Sequence, residues 1–581
     1  MCLAKRRHMT EYYERYWGIS MKLDLVFVTY NSEKWVAPCL ASLARSRYPL
    51  QDINIFIYDN ASTDKTVALC NDLYEQTYRS VFGNVMIIKS NKNVGFGMGN
   101  NLAAREGKAD FIFFLNIDTE LHADALDVLT GVIETRTAEE KMWELRQFPY
   151  EHPKLYHPVT QYTSWSSGAA FVIERSAFEK VGGFDQRIFM YAEDVDLSWR
   201  IRSQGGKIRY VPKAIVYHYS YSTANVVKPN QYLNSIVNHL NLRLRYGTKS
   251  EVMSGVKMLM RLFGHSGPYT HSRKQLIKKL ICNLPACFHF MRTRVRRQDG
   301  VFEPKFLNWD YELIRDDGFY PNRLPDSYPL VSIIVRTCNR PDVLRETLIS
   351  LRHQTYPNLE IVVVEDGYNS AAAMIEREFS DLNIHYQALM PHVGRSAAGN
   401  TAMRLAKGEY FNFLDDDDLF FADHVEVLVA SILNTSYAAV YSLAFEVATV
   451  THSTKPYKYT EYFHRVIHRQ PFSLLILSHH NYIPIQSILF KRQLFDELGG
   501  LDESLDALED WDMWLRYALG AEFCMINKLT SIYRVPYETT VNEKRQKALD
   551  DALLVVREKE KHYKVDMNAY SLLREYENLR K

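Results

Sequence analysis

Two tandem α/β units, each a parallel sheet with helices on both faces, are what this 581-residue sequence predicts. Three observations carry the prediction. The chain repeats itself at an offset of about 300 residues. Within each repeat, β-rich apolar runs alternate with amphipathic helical stretches, the order that a parallel sheet with crossover helices requires. The acidic residues shared by the repeats stand where the apolar runs end, and such sheets bind ligands beyond the carboxyl ends of their strands.

The elements follow in order. Residues 1–20 form a basic extension without the apolar core of a signal peptide. The first unit, 21–250, opens on "LDLVFVTYNSEKWVAPCLASLARSRYP", which is an apolar run, a polar turn, an amphipathic helix, then Tyr-Pro. The second unit, 326–540, opens the same way on "VSIIVRTCNRPDVLRETLISLRHQTYP". The runs "INIFIYDNAS" and "LEIVVVEDGYNS" read as strands ending in Asp59 and Asp366. "NVGFGMGNNLAAREGKADFIFFLNIDTEL" then matches "HVGRSAAGNTAMRLAKGEYFNFLDDDDLF", with Gly95 on Gly394, Asn101 on Asn400 and Asp118 on Asp417. Last, "FEKVGGFDQRIFMYAEDVDLSWRI" matches "FDELGGLDESLDALEDWDMWLRY". Residues 251–325 read as a basic helical linker. Residues 541–581 read as a charged helix whose apolar stripe suits docking on a domain or on a partner, a second copy included.

Composition narrows the function. Hydrophobic residues make up 46% and charged residues 24%, an ordinary globular profile. A net charge of +1 gives no field for nucleic acid, and no nucleic-acid partner is expected. Seven cysteines, odd in number and without a Cys-x-x-Cys pair, argue against a disulfide framework or structural zinc and fit a reducing compartment. No apolar run reaches the roughly 18 residues of a membrane span. A cytoplasmic protein is expected.

The carboxylates carry the chemistry. Asp415, Asp416, Asp417 and Asp418 end an aromatic strand-like run and are followed by apolar residues. Two negative charges roughly 5 Å apart repel by about 3 kcal/mol at an effective dielectric near 20, so a positive partner belongs beside them. A divalent cation, Mn²⁺ or Mg²⁺, answers best, because hard cations bind one or two carboxylates plus substrate phosphates. Asp415 and Asp417 alternate along the run and leave it on the same side. Asn116-Ile117-Asp118 is a thinner version in which the amide can bond a ribose hydroxyl but brings no charge. For any single aspartate, a helix cap or a solvated loop is the alternative. Glu193-Asp194 and Glu509-Asp510 each open an amphipathic helix. The helix dipole explains acids there, and so does a general base for an attacking hydroxyl. "NVGFGMGNN" misses G-x-G-x-x-G because Asn100 stands at the last glycine, and no P-loop occurs, so a dinucleotide-binding dehydrogenase or P-loop nucleotidase is not supported. Its glycines allow a tight turn beside a ligand. His218, after the strand-like "VYH", is a candidate metal or diphosphate ligand, although a lone histidine is more often structural.

Together these blocks resemble the family 2 glycosyltransferases, inverting enzymes of the GT-A (nucleotide-diphospho-sugar transferase) fold, across both units. "VTYNS", "YDNAST", "FLNIDTEL" and "GGFDQRIFMYAEDVDLSWR" resemble the rhamnosyltransferase-type branch. "TCNRP", "VEDG", "AKGEYFNFLDDDD" and "GGLDESLDALEDWDMW" resemble a general bacterial polysaccharide branch. The resemblance implies two tandem GT-A domains joined by a helical linker. Carried over by motif, Asp59 and Asp366 contact the nucleotide base, and Asn116 and Asp415 face the ribose or diphosphate. Asp118 and Asp417 hold the metal, Asp194 and Asp510 are the bases, and Gly95 and Gly394 belong to the donor loops. His218 matches the family's late metal or diphosphate ligand. The second unit has Tyr533-Arg534 near the comparable place, which implies Arg534 as its diphosphate contact. Gly399 departs from the family, which often has arginine before Asn400. The implied ligands are Mn²⁺ or Mg²⁺, dTDP- or UDP-sugar donors, and a lipid-linked or free oligosaccharide acceptor. The implied activity is two successive transfers onto a growing bacterial surface polysaccharide of O-antigen or capsule type.

Two other readings compete. In the first, one unit is live and the other a degenerate glycan-binding copy, for which the Asn-Ile-Asp motif marks the first unit. A sugar nucleotidyltransferase has a related architecture but needs a glycine-rich triphosphate loop with a basic residue near its start, and none is evident. The basic stretch from Lys257 to Arg297 admits two accounts: packing its apolar side between the domains, which is favoured, or lying on the anionic inner face of a membrane.

Overall fold

The computed structural model describes residues 21–219, 228–264, 268–269, 271–315, 320–565 and 568–579. The extension 1–20 lies outside the described residues. The chain divides into two compact units, Met1–Pro321 and Asn322–Lys581.

In the first unit the strands are β1 (Leu23–Thr29), β2 (Ile53–Asp59), β3 (Asn84–Lys89), β4 (Phe111–Leu115), β5 (Thr119–Leu121), β6 (Glu140–Phe148), β7 (Tyr162–Thr163), β8 (Ala170–Glu174) and β9 (Lys207–His218). They form one sheet in the order β3-β2-β1-β4-β8-β6-β9-β5, with β7 paired to β9. A short hairpin follows, β10 (Phe306–Leu307) and β11 (Asp310–Tyr311). The second unit repeats the plan with β12 (Val331–Thr337), β13 (Leu359–Glu365), β14 (Ile384–Ala388), β15 (Tyr410–Phe413), β16 (Leu419–Phe420), β17 (Ala439–Thr454), β18 (Tyr457–Arg465), β19 (Ile488–Lys491) and β20 (Phe523–Pro536). Its order, β14-β13-β12-β15-β19-β17-β20-β16, matches the first strand for strand.

The expected parallel sheet is found over β3-β2-β1-β4. There β1 and β4 are apolar runs buried on both faces, as strands covered by helices must be. Beyond β4 the sheet is mixed, because β8 runs antiparallel to β4 and to β6. No crossover helix precedes β8. The chain leaves β6 at the carboxyl end of the sheet and enters β8 from that same end, so antiparallel pairing needs no return path.

The helical segment between the two sheets packs on the first unit. Trp199 lies edge-on to Tyr246, Phe306 and Tyr311 at 5.1, 5.2 and 5.8 Å, joining the helix Glu193–Ser203 to the helix Pro229–Tyr246 and the hairpin. The segment read as one C-terminal helix holds two, Thr539–Glu560 and Ala569–Leu579, and the first docks on its own unit. It buries Ala552 and Val556, and Lys559 pairs with Asp512 at 2.5 Å. The part of the stripe formed by those two residues is covered within the chain.

Candidate active site

In the first unit a cavity of about 960 Å³ opens at the carboxyl ends of the central strands. Asn116, Asp118, Glu193, Asp194 and His218 all line it, so residues predicted from three separate motifs converge there. Asn116 and Asp118 occupy the turn between β4 and β5, and β5 pairs with β9 so that Thr119 faces His218. This register brings His218 Nε2 to 3.4 Å from Asp118 Oδ1. On the other side of the ring, Gln147 Oε1 stands 2.9 Å from Nδ1. Asn116 Oδ1 is buried without a hydrogen-bond partner among the described residues.

Glu193 and Asp194 start their helix after Ala192, which holds a left-handed conformation with φ 71°. Asp194 Oδ2 accepts the Gly168 backbone N–H at 2.8 Å, and Oδ1 accepts that of Val195 at 2.8 Å. Burial pushes the Asp194 carboxyl above its ordinary range. Glu193 is pushed up to about 8, by burial first and then by the charge of Asp194. At neutral pH Glu193 therefore holds its proton beside Asp194.

Several lining residues escaped sequence reasoning. Lys154 forms a buried ion pair with Glu144, sits 4.8 Å over the Trp165 ring, and favours the ionised form of Asp194. His152, which also lines the cavity, is held neutral by burial, its pKa pushed down to about 3. Lys154, His152 and Trp165 lie in the segment 149–169, which is irregular apart from the two-residue β7 and carries no periodic signal. Tyr311, from the segment read as a linker, also lines the cavity.

The second unit sets the same carboxylates differently. Glu509 and Asp510 open the helix Glu509–Ala518 after Leu508, again left-handed with φ 58°. The positive partner expected for the aspartate run is supplied in part by arginines. Arg336 forks onto Asp415 with two bonds of 2.7 Å and reaches Glu509 at 2.9 Å. Arg395 contacts Asp415 at 3.3 Å and Glu509 at 3.0 Å. Arg340 binds Asp416 and lies 3.4 Å from Asp417. Aligned on the repeat, Val28 stands for Arg336, Ser32 for Arg340 and Phe96 for Arg395 in the first unit. One sequence signal was available: Arg336 interrupts an otherwise apolar buried strand. Asp510 is pushed up to about 6, by burial and then by Glu509, with Arg395 and Arg336 opposing.

Two sequence pairings change in three dimensions. Thr29 registers with Asp59 but Thr337 with Glu365, so the counterpart of Asp59 is Glu365 and that of Asp366 is Asn60. The one-residue slip was invisible because both strands end in an acid. Asp59 accepts from the Thr29 hydroxyl and the Ser62 N–H, both at 3.0 Å, and Asn60 rather than Asp59 lines the cavity. Asp366 accepts from the N–H groups of Val393 and Gly394 at 2.8 and 3.0 Å, as Asn60 does from Val94 at 2.7 Å. Both therefore anchor the loops of Gly394 and Gly95. By the β16–β20 register, Tyr533 rather than Arg534 stands opposite the residue after Asp417, the place of His218. The Arg534 guanidinium is buried, bonded to the Asp417 carbonyl at 2.7 Å and to the Tyr459 hydroxyl at 2.9 Å, and braces the aspartate turn.

The donors of the first unit fit a divalent cation. A carboxylate and an imidazole converge at one cavity wall, and the ring is oriented from behind by Gln147. The fit is poorer in the second unit, where Arg340 stands beside Asp417 and Tyr533 directs its hydroxyl to Glu446 at 3.1 Å. Among the described residues no group of three or more His, Cys, Asp or Glu side chains is arranged to hold a metal.

The family profile described as glycosyl transferase family 2 matches twice, over residues 24–194 and 332–499, each time spanning the strand-end acids of one sheet. The chain belongs to glycosyl transferase family 2. A second profile, glycosyl transferase family group 2, matches 154–293 of this family 2 chain. An uncharacterized glycosyltransferase of Rickettsia typhi is 32% identical over 194 residues, which are 32% of this chain and 58% of that protein's length. The N-acetylglucosaminyl-diphospho-decaprenol L-rhamnosyltransferase of Mycobacterium tuberculosis is 27% identical over 248 residues, 35% of this chain and 77% of that protein. Among solved structures, a mannosyltransferase from Pyrobaculum calidifontis in complex with GDP-Man and Mn²⁺ is similar at 14% identity and TM-score 0.31, over 50% of this chain and 79% of that one. S. aureus TarS 1-349 in complex with UDP-GlcNAc is similar at 15% identity and TM-score 0.33, over 47% and 84%.

Proposed function

We propose that this family 2 chain is a bifunctional inverting glycosyltransferase that adds two successive sugars from nucleoside-diphosphate donors to a growing bacterial surface polysaccharide, of O-antigen or capsule type. One observation carries the reading. Each unit holds a Glu-Asp pair at a helix start, the Glu buried and the Asp half-buried, beside a sheet that sets aspartates at its strand ends. In the first unit Asp194 takes the proton of an acceptor hydroxyl, whose oxygen attacks the anomeric carbon from the face opposite the diphosphate. The C–O bond to the diphosphate breaks as the new one forms, and configuration inverts. Lys154 supports this role by favouring the ionised form of Asp194. Asp118 and His218 would hold a divalent cation, Mn²⁺ or Mg²⁺, which supplies charge neutralisation for the leaving diphosphate. The nucleobase belongs beside the loops that Asp59 and Asp366 hold, and Asn116 and Asp415 belong on the ribose side. Asp510 is the base of the second unit. Motif resemblance favours a dTDP-rhamnose donor for the first unit, with a UDP-sugar as the other candidate class. Placing two sites in one chain raises the effective concentration of the first product at the second site.

The test is product analysis by mass spectrometry with the full chain. Asp194→Asn is expected to abolish one transfer and Asp510→Asn the other. Loss of the same single transfer in both variants would refute two activities. The arginines around Asp415 and Glu509 favour one second reading, in which only the first unit transfers and the other binds glycan. Under that reading Asp510→Asn leaves the product unchanged.

A further inference from the structure

We propose that the outward faces of the helices Lys249–Gly264, Ser272–Cys282 and Leu284–Arg292 form a docking surface for an anionic lipid membrane. Each helix has two apolar faces. The inner ones are satisfied within the unit: Leu259, Leu262, Phe263, Leu276 and Leu280 pack around Ile236 and Val237, and Ala286 and Phe290 join the cluster of Trp199. The outer ones are not covered. Met253, Val256 and Met260 recur at helical spacing on the first helix, Ile277 and Ile281 on the second, and Leu284, Phe288 and Met291 on the third. Met260, Ile281 and Phe288 are 65%, 63% and 64% exposed, and scattered single exposures do not account for rows at this spacing.

Charge selects the partner. Between Val252 and Gln298 the sequence has ten Lys and Arg and no Asp or Glu, in a chain whose net charge is only +1. Lys257 shares the exposed face with Met260, Arg273, Lys274 and Lys278 with Ile277 and Ile281, and Arg292 with Phe288. A second copy of this surface would bring like charges together. Nucleic acid would leave the apolar rows in water. An acidic lipid headgroup layer satisfies both, with Lys and Arg at the phosphates and Met, Ile, Leu and Phe in the acyl boundary. Among the described residues no helix is long and apolar enough to cross a membrane, so the contact is peripheral. The first of these helices borders the cavity of Asp194 through Leu262, beside Tyr232 and Ile236 of the helix Pro229–Tyr246, so an acceptor carried on a lipid lies within the layer's reach.

Vesicle co-sedimentation of the full chain tests the proposal. Binding does not require turnover, so its result and that of the transferase reading are separable. The chain is expected to pellet with phosphatidylcholine vesicles containing phosphatidylglycerol, to stay in solution with phosphatidylcholine alone, and to be released progressively by salt. Combining Lys274→Ala with Lys278→Ala should weaken binding roughly fivefold per lysine. Met260→Glu, Ile281→Glu and Phe288→Glu together should abolish it with the circular dichroism unchanged. Absence of pelleting, equal pelleting on neutral vesicles, or full binding by the triple variant overturns the proposal. So does a concentration-dependent dimer that the triple variant dissolves.

Discussion

Glu193 and Glu509 occupy the same place in the repeat and meet opposite surroundings. Glu509 has Arg336 and Arg395 within 3.0 Å, whereas Glu193 is buried with one oxygen unpartnered among the described residues. A carboxyl whose folded pKa is raised keeps its proton in the fold and loses it on unfolding. Its stabilising contribution is complete below the unfolded value near 4.5 and is lost as pH rises toward about 8. Glu193→Gln should therefore gain stability relative to the parent between those limits, by a few kcal/mol at the upper end, read by urea denaturation across pH. Asp510 makes the complementary case. As a base it works when ionised, so the second transfer should fall as pH drops through about 6. Arg395→Ala removes a cation that opposes protonation, and the acid limb of that kcat/KM profile should move to higher pH. Of these residues, the acids were legible in the sequence. Their partners were not, because Arg336 and Glu509 are 173 positions apart.

Turns and helix starts place the site. Gly95 and Gly394 begin equivalent helices with φ of 89° and 95°, a backbone region essentially reserved for glycine. Around Gly394 the space is open, but a Cβ at Gly95 would stand 2.5 Å from the Phe189 carbonyl oxygen. Gly394→Ala should therefore cost about 1–3 kcal/mol from the backbone alone, and Gly95→Ala distinctly more, by chemical denaturation. Asn101 fastens the next turn, exchanging two bonds of 2.8 Å with the Phe184 backbone, and Asn400 does the same with Leu501. Asn101→Ala should leave buried backbone groups unpaired, costing about 2 kcal/mol, and should lower transfer by loosening the approach to Asp194. The sequence displayed these residues as repeated positions. Their role as latches depends on contacts 83 and 101 residues away and appears only in the fold.

At the scale of the molecule, the repeat gives two sheets with one strand order, and each is completed by a segment outside its own repeat. The hairpin bearing Tyr311 lines the cavity of the first unit, and the helix Thr539–Glu560 packs on the second through Val556 and through Lys559 on Asp512. Val556→Asp would bury an unpaired charge at that seam, costing roughly 3–5 kcal/mol. Hydrogen exchange in the helix Glu509–Ala518 should accelerate accordingly.

By itself the sequence determined the tandem plan, the alternation of strand and helix, and the acids at the strand ends. Periodicity and repetition are local properties, and they fix which residues share a face. The tertiary structure alone decided the antiparallel β8, the Asn60–Asp366 correspondence, and the sharing of partners, with His218 beside Asp118 in one unit and arginines beside the aspartates in the other. Those follow from strand register and from burial, which weigh residues far apart in the chain against one another, and no spacing along a single repeat encodes that balance.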